Sequence, residues 1–95
     1  MKYFAFTYTY GDDAELVDAT RPKHREFIAG LLTQGKIVGS GPYVGGKQAL
    51  IIVQLPDTAT VADAERLMDD DPYTRAAALT SREVQEWNPV SNIFA

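Results

Sequence analysis

The chain of 95 residues has no cysteine and only one histidine, His24. Without thiols neither a disulfide framework nor a thiolate metal centre is open to it, and one imidazole excludes a multi-histidine site on a single chain. Only carboxylate sites for hard cations survive that test. Basic residues are also in short supply, 9 Lys and Arg against 13 Asp and Glu, for a formal net charge of −4. Nucleic acid needs a clustered basic surface, so it is excluded as the expected partner. Long apolar runs are lacking too. None approaches the ~20 residues that cross a bilayer, and Met1-Lys2-Tyr3-Phe4 has neither the extended apolar segment nor the small-residue cleavage site of a secretory signal. The expectation is a soluble, cytoplasmic protein with no membrane partner.

What is present is ordinary globular composition, 45% hydrophobic and 23% charged, and it predicts one domain over residues 1–95. A domain of this size buries a modest share of its surface and gains from added support. With disulfides excluded, a partner subunit is the expected source of it.

Residues Lys2 to Tyr10 alternate, with Phe4, Phe6, Tyr8 and Tyr10 on one side and Tyr3, Ala5, Thr7 and Thr9 on the other, which predicts a strand. Gly11-Asp12-Asp13 breaks it. Thr20 as N-cap with Pro22 in the first turn predicts a helix starting near Arg21, with His24, Phe27, Ile28, Leu31 and Leu32 on one stripe and Gly35 as its stop. Lys36 to Val44 and Lys47 to Leu55 form a predicted hairpin around a two-residue Gly45-Gly46 turn. Thr60-Val61-Ala62-Asp63 resembles a capping box for a second helix with the stripe Val61, Ala64, Leu67 and Met68, ending before Pro72. Pro72 to Leu79 can form a further short helix, Arg82 to Trp87 a last strand, and the apolar tail Ile93-Phe94-Ala95 can dock.

The order β-α-β-β-α-β predicts an α+β, ferredoxin-like fold with an antiparallel four-stranded sheet. Two helices cover one face of such a sheet. Phe4, Phe6, Tyr8, Tyr10, Leu50 and Ile52 are expected to give the other face an apolar character, so that a second copy packs there as a homodimer and makes a dimeric α+β barrel.

Few residues carry chemistry. With a helix starting near Arg21, His24 lies in its first turn, where the positive end of the macrodipole favours the neutral ring, a proton acceptor; the bland alternative is a half-buried histidine bonded to a backbone carbonyl. In Asp69-Asp70-Asp71-Pro72-Tyr73, Asp71 is a good N-cap before a proline, which explains it without function. The functional alternative is that Asp71 or Asp70 reaches and orients the His24 ring, with Asp12, Asp13 and Asp18 as other contenders. Ser40-Gly41-Pro42 reads as a bulge, an edge or a place of close ligand approach. Arg21 suits a carboxylate or phenolate, though pairing with Asp12, Asp13 or Asp18 is the commoner fate of such a residue. Tyr8, Tyr10, Tyr43 and Tyr73 fit either an aromatic-friendly pocket or core and interface packing.

Arg21-Pro22-x-His24, the strand ending Gly39-Ser40-Gly41-Pro42, and Asp71-Pro72-Tyr73 followed by a strand ending at Trp87 together resemble the YciI-like family, in the same order over nearly the whole chain. The resemblance implies a dimeric ferredoxin-like α+β barrel with a histidine-aspartate pair in a pocket, placed on His24 and Asp71. A related branch includes a dehydrochlorinase of chlorinated hydroxyquinols, and the wider superfamily includes muconolactone isomerase and cofactor-free monooxygenases. The leading expectation is a cofactor-independent lyase or isomerase acting on a small cyclic compound. His24 would move the proton, Asp71 orient the ring, and Arg21 with backbone N–H groups near Ser40 and Gly41 stabilise the oxyanion, beside Pro42 and Tyr73. The alternatives are a non-catalytic metabolite-binding or regulatory module using the same pocket, and a purely structural dimerisation domain.

Overall fold

Aromatic and small residues alternate along Lys2–Tyr10, and this segment forms the first strand, β1, near the middle of the sheet. The computed structural model describes residues 1–94. After β1 come α1 (Ala14–Thr33), β2 (Ile37–Pro42), β3 (Gln48–Leu55), α2 (Val61–Met68), α3 (Pro72–Arg75) and β4 (Leu79–Trp87). The sheet has the order β2-β3-β1-β4 with every neighbouring pair antiparallel, so the β-α-β-β-α-β, ferredoxin-like expectation holds. Among the described residues no helix is long and apolar enough to cross a membrane.

The register overturns one expectation about the faces. Phe4, Phe6 and Tyr8 stand opposite Val53, Ile51 and Ala49, and all six belong to the core that Val17 and Leu31 of α1 and Ala64 and Met68 of α2 close over. Leu50 and Ile52 pair with Thr7 and Ala5 on the uncovered face, half-buried. Burying an aromatic or branched side chain is worth roughly 1.5–3 kcal/mol. The larger set therefore turns toward the helices, and the bare face keeps a thinner apolar patch.

Helix α1 starts a full two turns earlier than its proline suggested. Asp13, not Thr20, is the N-cap, its carboxylate accepting from the Leu16 N–H at 3.1 Å, and Pro22 lies inside the helix. Thr20 donates to the Leu16 carbonyl at 2.7 Å instead. Proline in a helix forfeits one backbone hydrogen bond. The buried stripe Val17, Thr20, His24 and Leu31 runs through the proline, and that continuous packing outweighs the loss. At the other end Gly35 (φ 74°) donates to Leu32 and Lys36 donates to Leu31, the paired bonds of a Schellman stop.

The hairpin has a longer loop than a two-residue turn. Its strands end at Pro42 and Gln48, and Gly46 donates back to the Tyr43 carbonyl at 3.0 Å, with Gly45 and Gly46 both at positive φ. The register shift in β2 falls between Ile37 and Gly39, one step ahead of Ser40-Gly41-Pro42, which continues as edge strand. The α2 capping box forms as expected between Thr60 and Asp63. Helix α3 is shorter and β4 longer than expected, because Tyr10 pairs with Leu79 and the Gly11 N–H takes the Ala78 carbonyl at 2.8 Å. In the tail, the Phe94 ring lies 5.4 Å from that of Tyr3 and 6.2 Å from that of Trp87, Ile93 is exposed, and Ala95 is outside the described residues.

Candidate active site

His24 and Asp71 are 47 positions apart in the chain and meet where α1 packs against the start of α3. His24 Nδ1 lies 2.9 Å from Asp71 Oδ1 and 2.8 Å from Oδ2. An ionised carboxylate only accepts, so Nδ1 carries the proton and Nε2 is left as the other ring nitrogen. Nε2 makes no hydrogen bond among the described residues. The ring sits roughly three turns into α1, so the N-terminal dipole that the shorter helix implied is out of reach.

Asp71 is completely buried, and its carboxylate is satisfied by more than the imidazole. Oδ1 accepts from the Tyr73 backbone N–H at 2.9 Å, as the N-cap of α3, and Oδ2 accepts from the Tyr8 hydroxyl at 2.9 Å. The capping role and the orienting role are thus played by the same side chain. A buried charge is tolerable when hydrogen bonds replace its hydration, and donors from three elements do so here. Burial, reinforced by the neighbouring Asp71 carboxylate, pushes the Tyr8 phenol far above its ordinary value, so it remains a donor. The other contenders lie elsewhere: Asp12 is exposed, Asp13 caps α1, Asp18 pairs with Arg21 and Asp70 with Arg75.

His24 borders a cavity of about 380 Å³, within the size range of small-molecule sites. Ile28, Leu32, Pro42 and Ala49 give it an apolar wall, and Ser40 and Gly41 of the edge strand close one side. Tyr73 stacks on the imidazole with ring centroids 4.2 Å apart at 25°, and Tyr10 meets Tyr73 edge-on at 5.7 Å. Burial raises the Tyr73 phenol, with the Arg21 cation opposing. Its hydroxyl is sealed from solvent, with the Arg21 guanidinium as a nearby polar group that acts on its ionisation. Arg21 is bound to Asp18 at 2.8 Å and also lines the cavity, so the bland and the functional reading of it coexist. All seven positions singled out from the sequence, His24, Asp71, Arg21, Ser40, Gly41, Pro42 and Tyr73, are at this cavity or in direct contact with its wall. Tyr43 is exposed and Tyr8 lies behind Asp71. A solely structural module predicts the pair apart or packed solid, the opposite of this arrangement.

Two residues escaped the sequence reading. In the sequence Tyr8 is one aromatic among several, with no sign that its hydroxyl meets an aspartate 63 positions away. Arg25 also lines the cavity, and its spacing of four from Arg21 on one helix was a usable signal. Among the described residues no group of three or more His, Cys, Asp or Glu side chains has the arrangement of a metal site.

Fold and pair together define a ferredoxin-like α+β protein with a buried histidine-aspartate pair beside a cavity. More particularly, the sequence matches the YCII-related domain over residues 1–88, and the chain belongs to that family. It resembles the structure of 5-chloro-2-hydroxyhydroquinone dehydrochlorinase (TftG) from Burkholderia phenoliruptrix AC1100 in complex with 2,5-dihydroxybenzoquinone. The TM-score is 0.76 at 16% identity, covering 90% of this chain and 93% of that one. An antibiotic biosynthesis monooxygenase gives a TM-score of 0.60 at 15% identity, covering 93% and 97% of the two chains. Protein Atu4242 from Agrobacterium tumefaciens gives 0.56 at 20% identity, covering 94% and 93%. At these identities the likeness is one of fold. Comparison by sequence with curated proteins finds no match.

Proposed function

We propose that the protein is a homodimeric small-molecule enzyme of proton-transfer type, a lyase or isomerase of dehydrochlorinase-like chemistry, acting on a small cyclic hydroxylated or carbonyl-bearing compound. The observation that carries this reading is His24 Nδ1 within 2.9 Å of both Asp71 oxygens while the ring borders an open cavity. In this reading Nε2 takes the proton, and Asp71 fixes the tautomer and balances the imidazolium that forms. In an elimination the electrons of the broken C–H or O–H bond move into the substrate as the leaving group departs with its own bonding pair, and His24 then releases its proton. Arg21 and the backbone N–H groups near Ser40 and Gly41 stabilise developing oxyanion charge, and Pro42 and Tyr73 position the ring. The likeness to a dehydrochlorinase supports this chemistry, and the half-buried patch of Ala5, Thr7, Leu50 and Ile52 supports a second copy on the bare face.

The test is turnover of halogenated and hydroxylated cyclic compounds by the wild type and by His24→Ala. A loss of roughly a hundredfold or more in a variant that keeps its fold is expected, since general acid-base catalysis supplies about that much. Equal activity in His24→Ala would end the proposal. Saturable binding with the ligand always recovered unchanged would assign the cavity to sensing instead.

A further inference from the structure

The cavity is charged in the opposite sense to the protein around it. The chain carries 13 acidic against 9 basic residues, yet the cavity is lined by Arg21 and Arg25 and by no aspartate or glutamate. The two guanidinium groups are four residues apart on α1, a spacing at which like charges repel. Arg21 has a counter-ion in Asp18, whereas Arg25 has no ion pair or hydrogen bond among the described residues. An arginine at the rim without a counter-ion, in a wall that holds no carboxylate, is the sign of a missing anionic group. The stacked His24 and Tyr73 rings and the apolar wall of Ile28 and Leu32 suit a flat body behind it.

We infer that the natural ligand is a planar cyclic compound that is already an anion when it binds, its carboxylate or ionised phenol held by Arg25. This names the substrate class of the proton-transfer reading and rests on the same cavity. An acidic protein repels such ligands elsewhere on its surface, and Arg25 is the cation this cavity leaves without a counter-ion. The Arg25 guanidinium presents paired N–H donors to two oxygens, a geometry that a point charge does not reproduce.

The experiment is calorimetric binding of 2,5-dihydroxybenzoate, which carries no halide to eliminate, and of its uncharged methyl ester to the wild type, to Arg25→Gln and to Arg25→Lys. The acid is expected to bind about tenfold or more tighter than the ester, the scale of one charge-assisted hydrogen bond. Arg25→Gln should erase that preference without weakening the ester, and Arg25→Lys should restore only part of it. The inference is overturned if acid and ester bind alike, if neither binds, or if the preference survives Arg25→Gln. Because binding alone is measured, a failed catalytic test of His24 leaves this result standing, and a failed anion preference leaves proton transfer standing.

Discussion

The Tyr8 hydroxyl hydrogen-bonds at 2.9 Å to Asp71 Oδ2, the same oxygen that lies 2.8 Å from His24 Nδ1. One carboxylate therefore ties a central strand, the long helix and the start of α3 into a single unit, and the imidazole inherits its orientation from the sheet. Tyr8 does not line the cavity, so it acts through Asp71 and not on a ligand. Tyr8→Phe keeps the ring and removes the donor. It should cost about 1.5–3 kcal/mol of stability, the usual worth of a buried hydrogen bond to a charged group. Urea unfolding of the two proteins measures it, and an unchanged midpoint would show that the bond contributes nothing.

The same phenol predicts a loss of stability in alkali. Its folded-state ionisation is raised far above the ordinary tyrosine value near 10 by burial first and by Asp71 second. A group raised in this way contributes stability that is fully present below the unfolded value and is lost as the pH climbs past it. Above about pH 10 the unfolded chain releases a proton that the folded one retains, so the free energy of unfolding should fall by up to ~1.4 kcal/mol per pH unit on account of Tyr8. Tyr8→Phe removes this part of the slope while the raised Tyr73 phenol continues to contribute. Parallel alkaline slopes in wild type and variant would refute it.

Asp71 both caps α3 and holds His24, and two substitutions separate these roles. Asparagine remains a good cap for the Tyr73 N–H. It offers one acceptor oxygen where Tyr8 and His24 also require one, so a buried donor goes unpaired at a cost of about 1–3 kcal/mol. Asp71→Ala loses the cap in addition, worth about 1 kcal/mol more. Turnover should fall to a similar low level in both, since each frees the imidazole tautomer. Thermal unfolding beside activity measurements decides it: full activity in Asp71→Asn would leave the residue a cap alone.

How much of this was legible depended on whether the signal was local. The two-residue period of Phe4, Phe6 and Tyr8, the Thr60-Asp63 box and the Gly35 stop are short-range patterns, and each is found where the sequence placed it. The Asp71 cap was equally local, and its reach to His24 followed from family likeness together with the inward stripe of α1. Elsewhere tertiary packing overrode a local rule or made a contact that no local rule describes. Pro22 marks a helix start by preference, yet burial of Val17 and Thr20 ahead of it carries α1 back to Ala14. Strand periodicity distinguishes two faces without saying which one the helices take, and register puts Phe4 and Leu50, expected together, on opposite ones. The Tyr8 bond to Asp71 joins residues 63 positions apart and leaves no mark in either local pattern.

Two glycines test whether space or backbone freedom governs a position, because neither has a positive φ. Gly11 passes so close to the turn before β4 that a Cβ there would meet the Ala78 carbonyl oxygen at 2.9 Å, a backbone atom that cannot swing aside. The Gly11 N–H is bonded to that same oxygen at 2.8 Å, so moving apart breaks the stitch joining β1 to the start of β4. Gly11→Ala should therefore destabilise the protein by about 1–3 kcal/mol, the cost of overpacking. Gly30 lies exposed within α1, and a Cβ there meets nothing within 4 Å. In that place alanine narrows the unfolded ensemble and favours the helix, for a gain of about 0.5–1 kcal/mol. One substitution is thus expected to act with opposite signs 19 positions apart, and chemical denaturation of the two variants in parallel reads both; a Gly11→Ala protein as stable as the wild type would mean that β4 pairs without this close approach.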